Sequence, residues 1–505
     1  MAFTKFKKFI RSLRYYPELL FVFHLYGVLF SGPTLEQYLY KVFSDEVGYN
    51  YTYNSNTANS DCNKGDLNST SHTLLKEVQD RISKFQLYLM LAQNIPPILL
   101  VLFFGPLADR YGRKVVMMIA FIGYAFWSTI LTAVVYFNLS RYLILVANFI
   151  WGCCGYYLSA VVALLAYVSD RTQPDNRAFR IAIVDLVLFA AITASNFSNG
   201  KYLQEFGFLA CFLLMFTISI VSVIWCFLFI SESLPPEKRT ETKDPLFTIP
   251  RRVLGSVIRK RPNRKKLLLL MVVDSTVGFT APVSVQSLLI LILLNIPFCW
   301  PSSWIGYYRG ALFAIMGVGG VIAVKLLPYI MAKPLVIIVA CLSSAGYLVS
   351  FSLSRSVWAS YVSILAGLFA YSAQPITRGI ISQIVDANEQ GAVFSVLGFF
   401  QTIVSLVASL SYNAIYIYTN QHNEPAAVFI IASFTTIIPI IFSTYFYYVE
   451  KKNRNTQNDD ENTEQPTPPT NKNCNDTKED DKGGEDYESI DNAFNENDDR
   501  NGLVI

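Results

Sequence analysis

The stretch GPLADRYGRK, residues 105–114, sets one acid and three bases into ten positions between two long apolar runs. Charge at this density cannot stay in hydrocarbon, so the stretch reads as a tight turn at a membrane surface. Its glycines have separate uses. Gly105 permits close approach between helices, and Gly112 permits a backbone turn closed to other residues. Asp109 is suited to neutralise a helix N-terminus, and Arg113 to reach an acid such as Asp170 at the end of a neighbouring apolar run.

The surrounding chain supports that reading. Of 505 residues 52% are hydrophobic and 15% charged, with a mean hydropathy of +0.35; this is more apolar surface than one soluble core hides. A helix needs about 20 apolar residues to cross a hydrocarbon core of roughly 30 Å. Twelve such windows occur, near residues 18–40, 84–107, 115–137, 141–168, 180–203 and 207–230, then 267–294, 305–330, 334–353, 356–380, 391–417 and 425–449. The expected fold is an all-α polytopic membrane protein of two six-helix halves, 18–230 and 267–449.

Charge placement orients it. The start MAFTKFKKFIRSLRYY carries five bases and runs straight into an apolar stretch too long for a signal peptide, so residues 1–17 read as a cytoplasmic flank. Alternate loops hold Arg110, Arg113 and Lys114, then Arg171, Arg177 and Arg180, then the basic linker 231–266. The positive-inside rule therefore puts both termini in the cytoplasm. An outer loop at 42–81 carries the sequons Asn50-Tyr51-Thr52 and Asn68-Ser69-Thr70, expected to be glycosylated. The tail 450–505, with sixteen acids against seven bases, reads as disordered; its YESI stretch has the spacing of a sorting signal that trafficking adaptors would read through Tyr487.

Residues 105–114 fit the pattern G-x-x-x-D-R-x-G-R-R/K at Gly105, Asp109, Arg110, Gly112, Arg113 and Lys114. This resembles the loop motif of the major facilitator superfamily. The resemblance implies two bundles that rock about a central site, with ion pairs at the cytoplasmic edge acting as a latch. Four further segments are similar to solute carrier family 46: GPTLEQYLYKVFSDEVGYN at 32–50, VSDRTQPDNRAFRIAIVD at 168–185, PFCWPSSWIGY at 297–307 and PITRGIISQIVDANEQGAVFS at 375–395. The resemblance implies that Asp185 stands at a position for proton coupling, that Arg378 serves proton and substrate binding, and that Asp109 and Asp170 serve the transport cycle. It also implies a bridge between Cys62 and Cys299.

Physical reasoning bears on the same residues. A carboxylate at Asp185, inside a span, is costly unless paired or protonated, which marks it as functional; an alternative is pairing with Arg180. Arg378 lies beside the helix-breaking Pro375 and keeps its charge, so it suits a carboxylate partner. Cys62 and Cys299 fall in outer loops where oxidation is permitted, whereas Cys153, Cys154, Cys211, Cys226 and Cys341 lie in apolar spans. His24, in span one, has an ordinary pKa of about 6.5 and is either a proton group or a packed core residue. Asp274, Glu36, Gln37, Arg309 and Lys325 are further intramembrane candidates. Two positions depart from the family: the stretch GFTAPVSVQS of span seven lacks the family's histidine, and Asn148 stands where relatives carry an arginine.

The expected function is proton-coupled symport of an organic anion, folate-like or otherwise conjugated, at the plasma membrane or an endolysosomal membrane. Its partners would be that solute and the bilayer, with no nucleic acid. No metal and no cofactor beyond the proton gradient is expected. A proton-independent facilitator or exporter, or a non-transporting scaffold or receptor, are the alternatives. Neither H-E-x-x-H nor G-x-S-x-G occurs, and the chain holds only three histidines, so an enzyme is not expected.

Overall fold

The computed structural model describes residues 17–49, 51, 69–172, 174–234, 255, 264–280, 285–296, 298–385 and 390–463. Of residues 17, 69–72, 105, 106, 109, 158, 165, 169, 174–187, 278–280, 390–392 and 453–463 only the backbone is described. Asn50, Cys62, Asn68 and Tyr487 lie outside the described residues. Clustering of contacts separates a unit at Met1–Lys452 from one at Asn453–Ile505.

Among the described residues the chain is helical throughout: α1 Pro17–Val47, α2 Ser69–Tyr111, α3 Arg113–Tyr136, α4 Tyr142–Cys153, α5 Tyr156–Asp170 and α6 Pro174–Phe229. There follow α7 Arg264–Thr280, α8 Gln286–Leu294, α9 Ser302–Ile330, α10 Lys333–Leu353, α11 Val357–Ala366, a 3-10 turn Ala370–Ser372, α12 Ala373–Ile384, α13 Gln390–Gln421, α14 Ala427–Phe434 and α15 Ile437–Thr463. Eight stretches of these helices are long and apolar enough to cross a membrane. One of them, Leu188–Phe229, has 42 residues, about 63 Å of helix at 1.5 Å per residue and enough for two crossings. It breaks at Gly207, whose φ of 77° ends one helical run and starts the next.

Several sequence windows are discontinuous helices. The window 141–168 is split into α4 and α5 by Cys154 and Gly155, with φ of 83° at Gly155 and 54° at Tyr156. The window 356–380 is split into α11, the 3-10 turn and α12. Broken backbone at membrane depth leaves polar groups that lipid cannot satisfy, so it survives where protein or water covers it. The polar flanks of the expected outer loop, in contrast, are helical: α1 runs to Val47 and α2 starts at Ser69. Extending a formed helix costs little, and i,i+4 pairs such as Lys41 with Asp45, 3.0 Å apart, support the extension.

Packing is asymmetric along the membrane normal. At the end opposite the Gly105–Lys114 turn, one apolar cluster joins both halves, including Phe30, Phe85, Trp151 and Met215 with Leu288, Tyr308, Phe351 and Phe429. At the motif end the halves have separate clusters. One holds Leu20, Phe121, Leu164 and Ile230. The other holds Leu267, Ile337, Ile381 and Phe446, joined from the first half by Leu102. Polar contacts reinforce the joined end. Asn295 Nδ2 donates to Gln79 Oε1 at 2.9 Å, Tyr416 donates to the same oxygen, and Asn420 Nδ2 donates to Asp80 at 3.2 Å. Outward faces are greasy: Leu99, Phe227 and Val318 are each more than 60% exposed, as lipid contact requires.

Helices α6 and α9 meet backbone to backbone across the halves. A Cβ on Gly306 would lie 2.9 Å from both the Asn196 carbonyl oxygen and the Gly200 nitrogen, so only glycine allows this approach. Gly306→Ala is expected to cost about 1–3 kcal/mol through overpacking, read as a lower thermal midpoint of the detergent-solubilised protein. An unchanged midpoint would show that α6 and α9 do not touch there.

Candidate functional site

Two polar centres emerge, one at the turn and one inside the membrane body. At the turn, Gly112 is the N-cap of α3 with φ 111°. The Glu232 carboxylate fills the space beside it, where a Cβ would collide. Glu232 accepts from the backbone nitrogens of Arg113 at 2.8 Å and Lys114 at 3.2 Å, satisfying two orphan donors of the α3 N-terminus. Arg113 Nε lies 3.2 Å from Asp170 Oδ2, which also accepts from Ser233 Oγ at 3.0 Å. Arg171 donates to Ser231 Oγ at 2.6 Å, and Lys114 Nζ to the Phe227 carbonyl at 2.9 Å. Arg110 lies over the Tyr111 ring at 5.5 Å.

This network differs from the expected latch in two ways. The acid at the helix N-terminus is Glu232, while the Asp109 side chain is outside the described residues. The contacts also tie α3, α5 and the end of α6 to one another within the first half, because the turn and its acids all come from that half. Sequence reasoning missed Glu232. Its signal was an acid two residues beyond Ile230, where span six leaves the membrane ahead of a basic linker.

Inside the body, Asp274 on α7 has no accessible surface. Its Oδ2 accepts from Gln401 Nε2 on α13 at 2.6 Å, and its Oδ1 lies 3.6 Å from Arg378 Nε on α12. Arg378 Nη2 closes the triangle on Gln401 Oε1 at 3.0 Å. Burial of a carboxylate is tolerable because a cation and an amide face it. Pro375 sits in the first turn of α12, where a missing N–H costs nothing, so the break of span ten delivers Arg378 to Asp274. Arg378 keeps 43% of its side chain exposed, so the triangle is open on one side. Asp274 was legible as an intramembrane acid, but Gln401 in GFFQTIVS was not singled out.

The other sequence candidates fall in different places. Asp185 lies on α6 with only its backbone described. His24 is buried against Phe121 at 4.1 Å and edge-on to Tyr124 at 5.2 Å, as a packed core ring. Asn148 is buried and donates to the Ile144 carbonyl at 2.8 Å. Lys325 is exposed, whereas Arg309 is buried and donates to Asn196 Oδ1 at 2.9 Å. Cys153, Cys154, Cys211, Cys226 and Cys341 are free thiols, and buried Cys299 is not among them. Among the described residues no three His, Cys, Asp or Glu side chains gather as a metal site.

Residues 8–409 match the family model described as Major Facilitator Superfamily. The human lysosomal proton-coupled steroid conjugate and bile acid symporter is 24% identical over 424 residues, covering 82% of this chain and 90% of that protein. The proton-coupled folate transporter of Rattus norvegicus is 24% identical over 398 residues, covering 77% and 83%. Among solved structures, the human organic anion transporter MFSD10 matches with a TM-score of 0.58 at 14% identity, covering 86% of this chain and 98% of that one. The partially occluded inward-open xylose transporter XylE from E. coli matches with 0.54 at 12%, covering 85% and 97%.

The Arg113–Asp170 pair is mostly covered, at 14% and 24% exposure. A double-mutant cycle with Arg113→Ala and Asp170→Ala is expected to give a coupling of about 0.5–2 kcal/mol, measured as thermal or denaturant stability in detergent. Additive single effects would show that the pair forms no direct interaction.

Proposed function

The chain belongs to the Major Facilitator Superfamily, and from that premise we propose that this transporter is a proton-coupled symporter of an organic anion working by alternating access. The observation that carries the reading is the buried triangle of Asp274, Gln401 and Arg378, an acid and a base facing each other at membrane depth on three helices. An intramembrane charge of this kind is expensive unless it serves transport, and a carboxylate that can be neutral or charged is what a proton carrier needs. Both relatives described above bear the words proton-coupled in their names.

The packing supports the alternating-access part. Halves joined by one large cluster at one end and by little beyond Leu102 at the other fit one of the two arrangements that a rocking carrier requires. Under the positive-inside rule the motif end is cytoplasmic, so this arrangement opens toward the cell interior. Twelve crossings follow if α4 with α5, α7 with α8, and α11 with α12 each make one, and α6 makes two. The substrate is an organic anion of the folate-like or conjugated kind, carried at the plasma membrane or an endolysosomal membrane. Glycans on Asn50 and Asn68, a Cys62–Cys299 bridge and adaptor binding through Tyr487 belong to the same proposal. Buried Cys299, absent from the free thiols, is consistent with the bridge.

The test is uptake of radiolabelled estrone 3-sulfate and folic acid into proteoliposomes with an imposed inward proton gradient. Wild type should accumulate at least one of them, and collapse of the gradient should abolish accumulation. Asp274→Asn and Arg378→Gln should each lower the initial rate by about tenfold or more, since stranding one member of a buried pair costs upward of about 2 kcal/mol. Gradient-driven uptake at the wild-type rate by both variants would refute the assignment.

A further inference from the structure

A second acid and base are buried inside the body, and neither the turn nor the Asp274 triangle uses them. Arg309 on α9 is 7% exposed. Its Nε donates to Asn196 Oδ1 on α6, while its Nη1 is buried with no acceptor. Glu36 on α1, in the other half, holds a buried Oε2 that likewise lacks a partner. Neither polar atom has a hydrogen-bond partner in the structure, so both charges are buried with capacity to spare. Helix α6 ties the region together: Asn196 holds Arg309, and one turn on Asn199 Nδ2 donates to Thr34 Oγ1 at 2.7 Å, two residues before Glu36.

A guanidinium carries five N–H donors and keeps its charge. Burying it with donors unused is costly, and folded proteins rarely tolerate such a group without a ligand or a function for it. The surroundings are aromatic. The broken part of span ten brings Tyr371 close enough to feel the Arg309 charge, with its hydroxyl unpartnered. Its ring stacks on Phe313 at 6.3 Å and lies tilted to Phe189 at 6.0 Å. A cationic fork with a chain of aromatic rings leading from Tyr371 fits an oxyanion, carboxylate or sulfate, attached to a flat or polycyclic skeleton.

We propose that Arg309 binds the anionic group of the substrate and that Glu36 takes up a proton that balances its charge, apart from any proton carried at Asp274, a deepening that rests on the symporter reading above. Charge balance gives the reason. Empty, the site holds one positive and one negative charge and is neutral. An arriving monoanion displaces Glu36 from the field of Arg309 and leaves a net negative charge in a low-dielectric interior. One proton, passed from water on the entry side to the Glu36 carboxylate, restores neutrality, and the same proton returns to water on the exit side when the anion leaves. Arg309 is the charged group facing Glu36. Tyr347 from α10 and Tyr371 are the titratable groups facing Arg309.

The experiment is binding of radiolabelled estrone 3-sulfate and of folic acid to the purified full chain in detergent between pH 5 and 7.5, alongside the uptake assay. The two probes separate a sulfate from a carboxylate head. For the wild type, affinity for the bound probe should fall about tenfold per pH unit above the Glu36 transition, the slope of one linked proton. Glu36→Gln should bind with no pH slope and lose gradient-driven accumulation. Arg309→Gln and Arg309→Lys should lose at least about tenfold in affinity. The charge-neutral pair Glu36→Gln with Arg309→Gln should keep the wild-type thermal midpoint yet bind neither probe, which a merely structural ion pair would not predict. A pH slope that survives in Glu36→Gln, or probe binding by the neutral pair, would overturn this site while leaving wild-type uptake, and the symporter reading, intact. Binding without any gradient-driven uptake by the wild type would overturn the symporter reading alone, and failure of the wild type to bind either probe would overturn the site.

Discussion

Hydrocarbon offers no partner to a charge, and most of this molecule's interior can be understood as the answer to that problem. Asp274 has no accessible surface, yet it carries an amide on one oxygen and a guanidinium near the other. Each partner comes from a different helix. The triangle therefore does two things at once: it makes the acid tolerable, and it ties α7, α12 and α13 to one another. Arg378, partly open to its surroundings, is the exposed member of the group.

Backbone breaks serve the same end. A continuous helix satisfies its own N–H and C=O groups but presents side chains only at fixed angles. Interrupting spans four and ten frees backbone groups and re-aims side chains: Tyr156 and Tyr157 after Gly155, Tyr371 in the 3-10 turn, Arg378 after Pro375. Such breaks survive in a membrane only where protein or water covers them. Their concentration next to the buried charges is thus a physical consistency, since both features need a wet or polar interior. One large cluster spans the two halves at one end, while at the other the clusters are mostly separate, with Leu102 of the first half joining the second half's cluster.

The turn at 105–114 works at a distance from that interior. Glu232 caps α3, Arg113 reaches Asp170, and Lys114 reaches the Phe227 carbonyl, so three helices of the first half end in one rigid knot. A knot of this kind lets the half move as a body. Contacts between the halves lie elsewhere, in the Gln79, Asn295 and Tyr416 hydrogen bonds and in the glycine-mediated approach of α6 to α9. Rigidity within a half and adhesion between halves are therefore supplied by different residues.

Apolar windows, the charged turn and the asymmetry of basic loops are one-dimensional properties, and they determined the all-helical membrane fold and most of the residues worth inspecting. Asp274, Arg309 and Glu36 stood out as charges in greasy surroundings. Their partners did not. Gln401 and Asn196 are uncharged and carry no signal that separates them from other amides in spans, and Glu232 looked like part of a linker. Pairing Asp274 with Arg378 joins positions 104 residues apart, and Arg309 with Asn196 joins positions 113 apart. The tertiary structure alone decided those pairings, because hydrophobicity and charge are written residue by residue along the chain, whereas a hydrogen bond exists only where packing brings two distant atoms within about 3 Å.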